Sequence, residues 1–179
     1  MRILLHVCCG PCALGPYLAL KEKDVSLAGY WYNPNIHPYP EYQKRLMTAG
    51  FVSQALSLPL SVAEPDFTEF LSGLVSNHQE GNRCSFCWRR RLEKTAERAK
   101  AEGFDGFTTS LLASPHQDHQ KIKTLGEEIS QRQGIPFYYQ DFRTYWKEAQ
   151  KESRQMGLYH QNYCGCLYSQ WLRFTPSRQ

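Results

Sequence analysis

Short apolar runs alternate with longer stretches of helical spacing along the whole chain. Residues 3–7 form an apolar run of strand length. Residues 13–23 follow, with Leu14, Tyr17 and Leu18 at helical intervals among good helix formers. The stretch 25–32 is apolar and rich in β-formers, 41–56 reads as a helix, and 60–63 as a weak strand. Pro34, Pro38 and Pro40 mark a loop between the second strand and its helix. A short helix is expected over 66–75, with Asp66 as its cap. An amphipathic helix spans 85–102, and Gly103 stops it. A strand over 107–112, a helix over 118–132, a strand over 137–140 and a helix over 145–155 complete the pattern. From Leu158 onward the tail is aromatic and is expected to be irregular.

Strands that alternate with helices imply a doubly wound α/β sheet, mostly parallel, carrying a cysteine-bearing tail. The chain shows no repeat, low-complexity segment or linker. Its 179 residues suit a single α/β domain over 1–179. In such sheets ligands bind outside the carboxyl ends of the strands. Cys8, Cys9 and Cys12 lie at the end of the first strand. Thr109, Ser110, Ser114, His116 and Asp118 follow another, and Asp141 follows a third. Three strand ends should therefore point reactive groups into one crevice. The first loop lacks a glycine-rich phosphate fingerprint, and Pro11 removes one of its backbone donors. No Walker pattern and no Gly-x-Gly-x-x-Gly occurs, so neither a nucleoside triphosphate nor NAD is expected.

The cysteines change the picture most. All seven fall into clusters: Cys8, Cys9 and Cys12, then Cys84 and Cys87, then Cys164 and Cys166. Thiols used as small core residues would be scattered. Clustered ones collect soft metals, and seven exceed the four that one zinc takes. Zinc-finger spacing is absent. A [4Fe–4S] cluster accepts four thiolates from separate loops, and Cys8, Cys9, Cys84 and Cys87 offer two close pairs. The Cys84 pair opens a helix, where the dipole favours thiolate. The spacing favours such a cluster over zinc, with metal-free thiol chemistry as a third reading. Cys164-Gly165-Cys166 stands apart. A disulfide across one residue closes a strained, easily reduced ring, and such a pair can relay two electrons. Alternatively both sulfurs, with Cys12, bind a second metal, or the pair is two packed thiols beneath a C-terminal cap. Among the histidines, His116 and His119 flank Asp118 after a strand end and offer a proton donor. A surface or capping role for them is equally open. His6 reads as core or as backing for the first cysteines.

Charge and composition add less. A hydrophobic share of 41% with 21% charged residues is globular, and no apolar run approaches the roughly 20 residues that span a bilayer. The segment Arg2-Ile3-Leu4-Leu5-His6-Val7 runs straight into cysteines without a secretory apolar region. The expectation is a cytoplasmic chain with no membrane contact, where clustered cysteines mean metal or catalysis rather than a disulfide framework. The net charge of +4 permits a nucleic-acid partner without requiring one. Arg83, Arg89, Arg90, Arg91 and Lys94 crowd around the Cys84 pair, and Tyr30-Trp31-Tyr32 forms an aromatic block. Basic residues beside aromatics suit unpaired bases. A solvated helix face with core aromatics is the plainer explanation.

Several stretches together resemble the epoxyqueuosine reductases of the QueH type. They are His6-Val-Cys-Cys-Gly-Pro-Cys12, Tyr32-Asn-Pro-Asn-Ile-His-Pro-Tyr39 with Glu41, Tyr42 and Arg45, and Arg83-Cys-Ser-Phe-Cys87. Further on stand Phe104-Asp-Gly-Phe-Thr-Thr-Ser-Leu-Leu112 with Ser114, Pro115 and Gln117, Asp141-Phe-Arg143, and Tyr163-Cys-Gly-Cys166 with Tyr168 and Ser169. The resemblance implies an adenine-nucleotide hydrolase-like, Rossmann-like fold. It implies reductive removal of the epoxide oxygen from epoxyqueuosine at the wobble position of tRNA. It also implies a [4Fe–4S] cluster with an adjacent mononuclear iron, for which Cys12 is then the better ligand. The chemistry needs two electrons and two protons, so an electron donor, not named by the sequence, is expected beside the tRNA anticodon loop. Arg89, Arg90 and Arg91 are expected to engage phosphates, and Tyr30, Trp31, Tyr32 or Tyr39 to stack on bases. Cys164 and Cys166 are expected to act beside the epoxide. The competing class is a zinc-stabilised RNA-binding module without catalysis.

Overall fold

The computed structural model describes residues 1–79 and 81–175. Strand β1 (Arg2–His6) leads through helix α1 (Gly10–Leu20) to β2 (Ser26–Trp31), and α2 (Tyr39–Ala55) leads to β3 (Leu60–Val62). Helices α3 (Phe67–Ser76) and α4 (Asn82–Ala101) precede β4 (Gly106–Thr109). Helices α5 (His119–Gln133), α6 (Trp146–Gln155) and α7 (Leu167–Phe174) follow. Single 3-10 turns stand at Ser110–Ala113 and Phe142–Tyr145.

The four strands are parallel in the order β3-β2-β1-β4. Successive side chains of a strand face opposite sides of the sheet, and both faces are covered. Leu4, Tyr30, Tyr32 and Phe107 pack with Trp88, Leu92 and Ala96 of α4 and Ile122 and Ile129 of α5. Leu5, Val7 and Trp31 pack with Leu14 and Leu18 of α1, Tyr42, Ala49 and Val52 of α2, and Ala149 of α6. The expected doubly wound α/β fold is therefore present. The chain winds outward through β1, β2 and β3, then returns to the other side of β1 to form β4. The crevice between β1 and β4 is the point where strand order reverses, the preferred ligand position in such sheets.

Several boundaries differ from expectation. Helix α1 starts at Gly10, because Cys9 takes the cap position and its Sγ accepts Cys12 N at 3.4 Å. Cys12 thus lies in the first turn of α1. Strand β4 ends at Thr109, whose hydroxyl accepts Leu111 N at 3.1 Å and opens the 3-10 turn. The strand expected over 137–140 is reduced to one bridge between Phe107 and Phe137. After Tyr138 N reaches Phe107 O at 2.8 Å the chain leaves the sheet, and the Tyr139 hydroxyl meets His119 Nε2 at 3.1 Å. Asp66 sits at the cap position of α3 but bonds no amide there. Its carboxylate instead takes the Tyr32 hydroxyl and the Arg90 guanidinium. The tail is not irregular throughout, since Cys166 Sγ accepts Ser169 N at 3.4 Å and starts α7.

Candidate active site

Beyond the end of β1 the chain turns sharply into α1, and three thiols converge. The sulfurs of Cys8, Cys9 and Cys12 all lie within 4.8 Å of one another. Ser110, at the end of β4, ties the two strand ends together. Cys8 N donates to Ser110 Oγ at 2.9 Å, and Ser110 Oγ donates to Cys8 Sγ at 3.1 Å. Cys9 Sγ also accepts Gln161 Nε2 at 3.0 Å. Hydrogen bonds from the Cys12 and Cys9 thiols hold the Cys8 pKa well below the usual thiol range, with help from the Arg91 charge. Burial pushes the Cys9 thiol up, and donation to Cys8 does the same for Cys12. An all-sulfur donor set without a carboxylate suits iron or zinc rather than magnesium or calcium.

The second cysteine pair stands in the first two turns of α4. Cys87 is buried, while Cys84 is exposed. Burial pushes the Cys87 thiol up to about 12. The same helix turns Arg91 inward beneath Cys87, at 3.9 Å from Nη1 to Sγ. Arg91 also donates to His6 Nε2 at 3.3 Å and to Asn33 Oδ1 at 2.7 Å. His6 is fully buried and bonds Thr109 Oγ1 through Nδ1 at 2.9 Å. Burial first, then the Arg91 charge, lowers its pKa to about 3, so its ring is neutral.

The third pair is brought in by an arginine of α2. Arg45, 2% exposed, donates through Nη1 to Cys164 O at 2.9 Å and through Nη2 to Tyr163 O at 3.1 Å. Its Nε meets the Glu41 carboxylate at 2.6 Å, and Tyr159 donates to the other Glu41 oxygen at 2.8 Å. Gly165 adopts φ +130°, a backbone state that favours glycine. A Cβ there would stand 3.1 Å from Ile36 and 3.2 Å from Arg45 Nη1.

These elements enclose a cavity of about 530 Å³. Cys8, Cys12 and Cys164 line it, together with Arg91, His116 and Trp146. Its volume lies in the range of roughly 300–1,000 Å³ usual for small-molecule sites. Gln117 Nε2 points at Cys164 Sγ at 3.8 Å. Cys9 lies behind the wall. Cys84, Cys87 and Cys166 also stand outside the lining, Cys166 being the cap of α7. All seven cysteines are free thiols, so the disulfide considered for Cys164 and Cys166 is not formed here.

Some expected contacts are overturned. Tyr30, Trp31 and Tyr32 are buried and cannot stack on bases, because α4 covers one face of β2 and α2 the other. Of the four aromatics expected to stack on bases, only Tyr39 is exposed. Arg90, paired with Asp66 and Glu69, and Arg91, turned into the interior, are likewise taken up within the protein, while Arg89 pairs with Glu128 at the surface. His119 is buried against Tyr139 and lies away from the cavity, so of the two expected proton donors only His116 faces it. Gln161, Trp146 and His160 were not singled out as site residues, and nothing local in the sequence marks them. Asp118 caps α5 through Lys121 N at 3.1 Å.

Comparison with known proteins matches this geometry. The family model described as epoxyqueuosine reductase QueH matches residues 3–171. The protein of that name from Dehalococcoides mccartyi is 35% identical over 97% of this chain and 94% of its own length. The one from Thermotoga maritima is 33% identical over 93% of this chain and 89% of its own. Among solved structures, a chain described as a predicted subunit of tRNA methyltransferase from Methanocaldococcus jannaschii shares the fold. Its TM-score is 0.52 at 12% identity, covering 88% of this chain and 89% of that one. With a family match over residues 3–171, two relatives covered over about nine-tenths of their own length and a thiol-walled cavity where strand order reverses, the chain belongs to the epoxyqueuosine reductase QueH family.

Proposed function

We propose that this chain is an epoxyqueuosine reductase acting on the wobble nucleoside of tRNA. The epoxide on the cyclopentane ring loses its oxygen as water and becomes the alkene of queuosine. The change consumes two electrons and two protons, and the electrons come from a donor outside the chain. The observation that carries the reading is the cavity at the β1–β4 crevice, walled by Cys8, Cys12 and Cys164. A zinc-stabilised binding module would need neither a nucleoside-sized cavity nor three thiols facing into it.

Cys8, Cys9, Cys84 and Cys87 are the proposed ligands of a [4Fe–4S] cluster, and Cys12 is a proposed ligand of an adjacent iron. When bound, these groups supply one-electron transfer and a Lewis acid for an epoxide oxygen. The chain's own residues do the rest. Arg45 holds the Cys164 carbonyl and so aims its thiol into the cavity, where Gln117 steadies the sulfur. Cys164 and Cys166 act beside the epoxide, either as ligands of the second iron or as a dithiol. His116, edge-on to the Trp146 ring on the cavity wall, is placed to deliver a proton. Trp146 offers an apolar face to the nucleoside and excludes water. Arg173 on the cavity wall and exposed Tyr39 are placed to meet the anticodon loop, in place of Arg90 and Arg91. Among the described residues no helix is long and apolar enough to cross a membrane.

The test is anaerobic reconstitution with iron and sulfide, followed by assay on tRNA carrying epoxyqueuosine. The expected result is a brown protein absorbing near 400 nm, bleached by dithionite and forming the alkene. Cys84→Ala and Cys87→Ala should each lose the four-iron content. Full iron retention in either variant refutes that ligand set.

A further inference from the structure

Among the described residues two arginines are fully buried, and their surroundings differ in one respect. Arg45 has a carboxylate, that of Glu41, at 2.6 Å. Arg91 has none: among the described residues no acidic side chain pairs with it. Its hydrogen-bond partners are the His6 ring, the Asn33 amide and the Cys87 sulfur, none of them a carboxylate. A guanidinium cannot be deprotonated in a protein, so burial does not remove its charge. A buried charge left unanswered costs several kcal/mol. Folding tolerates it only where a negative group faces it.

The negative groups available are sulfurs. Cys87 Sγ lies 3.9 Å from Arg91 Nη1, and Arg91 lines the same cavity as Cys8 and Cys164, so one sulfur from each cysteine cluster is near it. The arginine arrives there by helical phase. Cys87 and Arg91 are four residues apart on α4 and share the face that packs on the sheet, while Arg89 and Arg90 point elsewhere. His6 and Asn33 then fix the guanidinium plane. Asn33 is fully buried and is itself anchored by donation to Val7 O at 2.8 Å. Arg91 therefore stands where the three cysteine clusters meet.

We propose that Arg91 is the resident counter-cation of the thiolate site, a positioning residue that answers the site's negative charge and raises its reduction potential. The inference rests on the iron–sulfur reading above. The sign follows from elementary electrostatics. Reduction adds an electron, and a fixed positive charge stabilises the more negative state. Without that charge the same electron is harder to add. This also separates Arg91 from Arg89, Arg90 and Arg98 of the same helix, which are tied to carboxylates.

The experiment compares Arg91→Met, Arg91→Gln and Arg91→Lys with the unaltered protein, each reconstituted anaerobically. Iron, sulfide and the midpoint potential are measured by dye titration. Arg91→Met and Arg91→Gln should shift the reduction equilibrium toward the oxidised form by at least about tenfold, which is about 59 mV for one electron. Arg91→Lys, which keeps the charge, should stay within about a threefold change of the unaltered protein, roughly 28 mV on the same scale. Equal potentials in all four proteins overturn the proposal. If the two neutral variants fold by circular dichroism but hold no cluster while the lysine variant does, the requirement for a cation stands. If all three folded variants fail to load, shape rather than charge is what the site needs, and the proposal falls. If the unaltered protein itself takes up no iron and sulfide, the iron–sulfur reading fails instead.

Discussion

Arg45→Met removes the clamp that joins α2 to the Cys164 loop, and its cost can be worked from the geometry. Three hydrogen bonds disappear: to Glu41 at 2.6 Å, to Cys164 O at 2.9 Å and to Tyr163 O at 3.1 Å. The Glu41 carboxylate, 12% exposed, keeps only the Tyr159 hydroxyl. Hydrogen bonds to a charged donor contribute about 1.5–3 kcal/mol each, and breaking a buried ion pair costs about 3–5 kcal/mol. These figures overlap, because the first bond belongs to the pair. Methionine restores most of the packing of the stem and carries no charge to desolvate, which offsets much of that sum, so a net loss of about 3–4 kcal/mol is expected. With a urea m-value of about 2 kcal/mol/M, the unfolding midpoint should fall by about 1.5–2 M. The same change frees the Cys164 loop, so alkylation of the metal-free protein at Cys164 should accelerate. Urea unfolding followed by circular dichroism reads the first effect, and mass spectrometry after timed iodoacetamide reads the second. An unchanged midpoint together with an unchanged Cys164 alkylation rate refutes the clamp.

Two further outcomes test the tail. Cys166→Ser keeps a side chain able to cap α7, so stability, cluster colour and tRNA binding should persist while alkene formation, followed by nucleoside chromatography, is lost. A variant that stays active reduces Cys166 to a helix cap. Gly165→Ala places a Cβ at φ +130° and within 3.2 Å of Arg45 Nη1, and should cost about 1–3 kcal/mol in the urea midpoint. A neutral midpoint there would show that the loop relaxes freely.

The sequence alone carried the winding of the fold and the grouping of the first three thiols. Apolar runs of strand length alternating with helical spacing are local signals, and they placed β1, β2, β4 and the long helices within a few residues. Cysteine spacing is local as well. Cys8, Cys9 and Cys12 follow directly from a strand end, so their convergence was legible before any coordinate. What tertiary structure decided is where each charge and ring points. Tyr30, Trp31 and Tyr32 look the same in a sequence whether they meet RNA or a helix, and only α4 and α2 closing on both faces of β2 bury them. Arg45 and Arg91 read as ordinary cations in the chain. One closes a clamp on residues more than a hundred positions away, and the other enters a thiol site assembled from three distant segments. Burial and charge compensation depend on partners far apart in sequence, and chain order holds no signal for them until the sheet has brought those partners together.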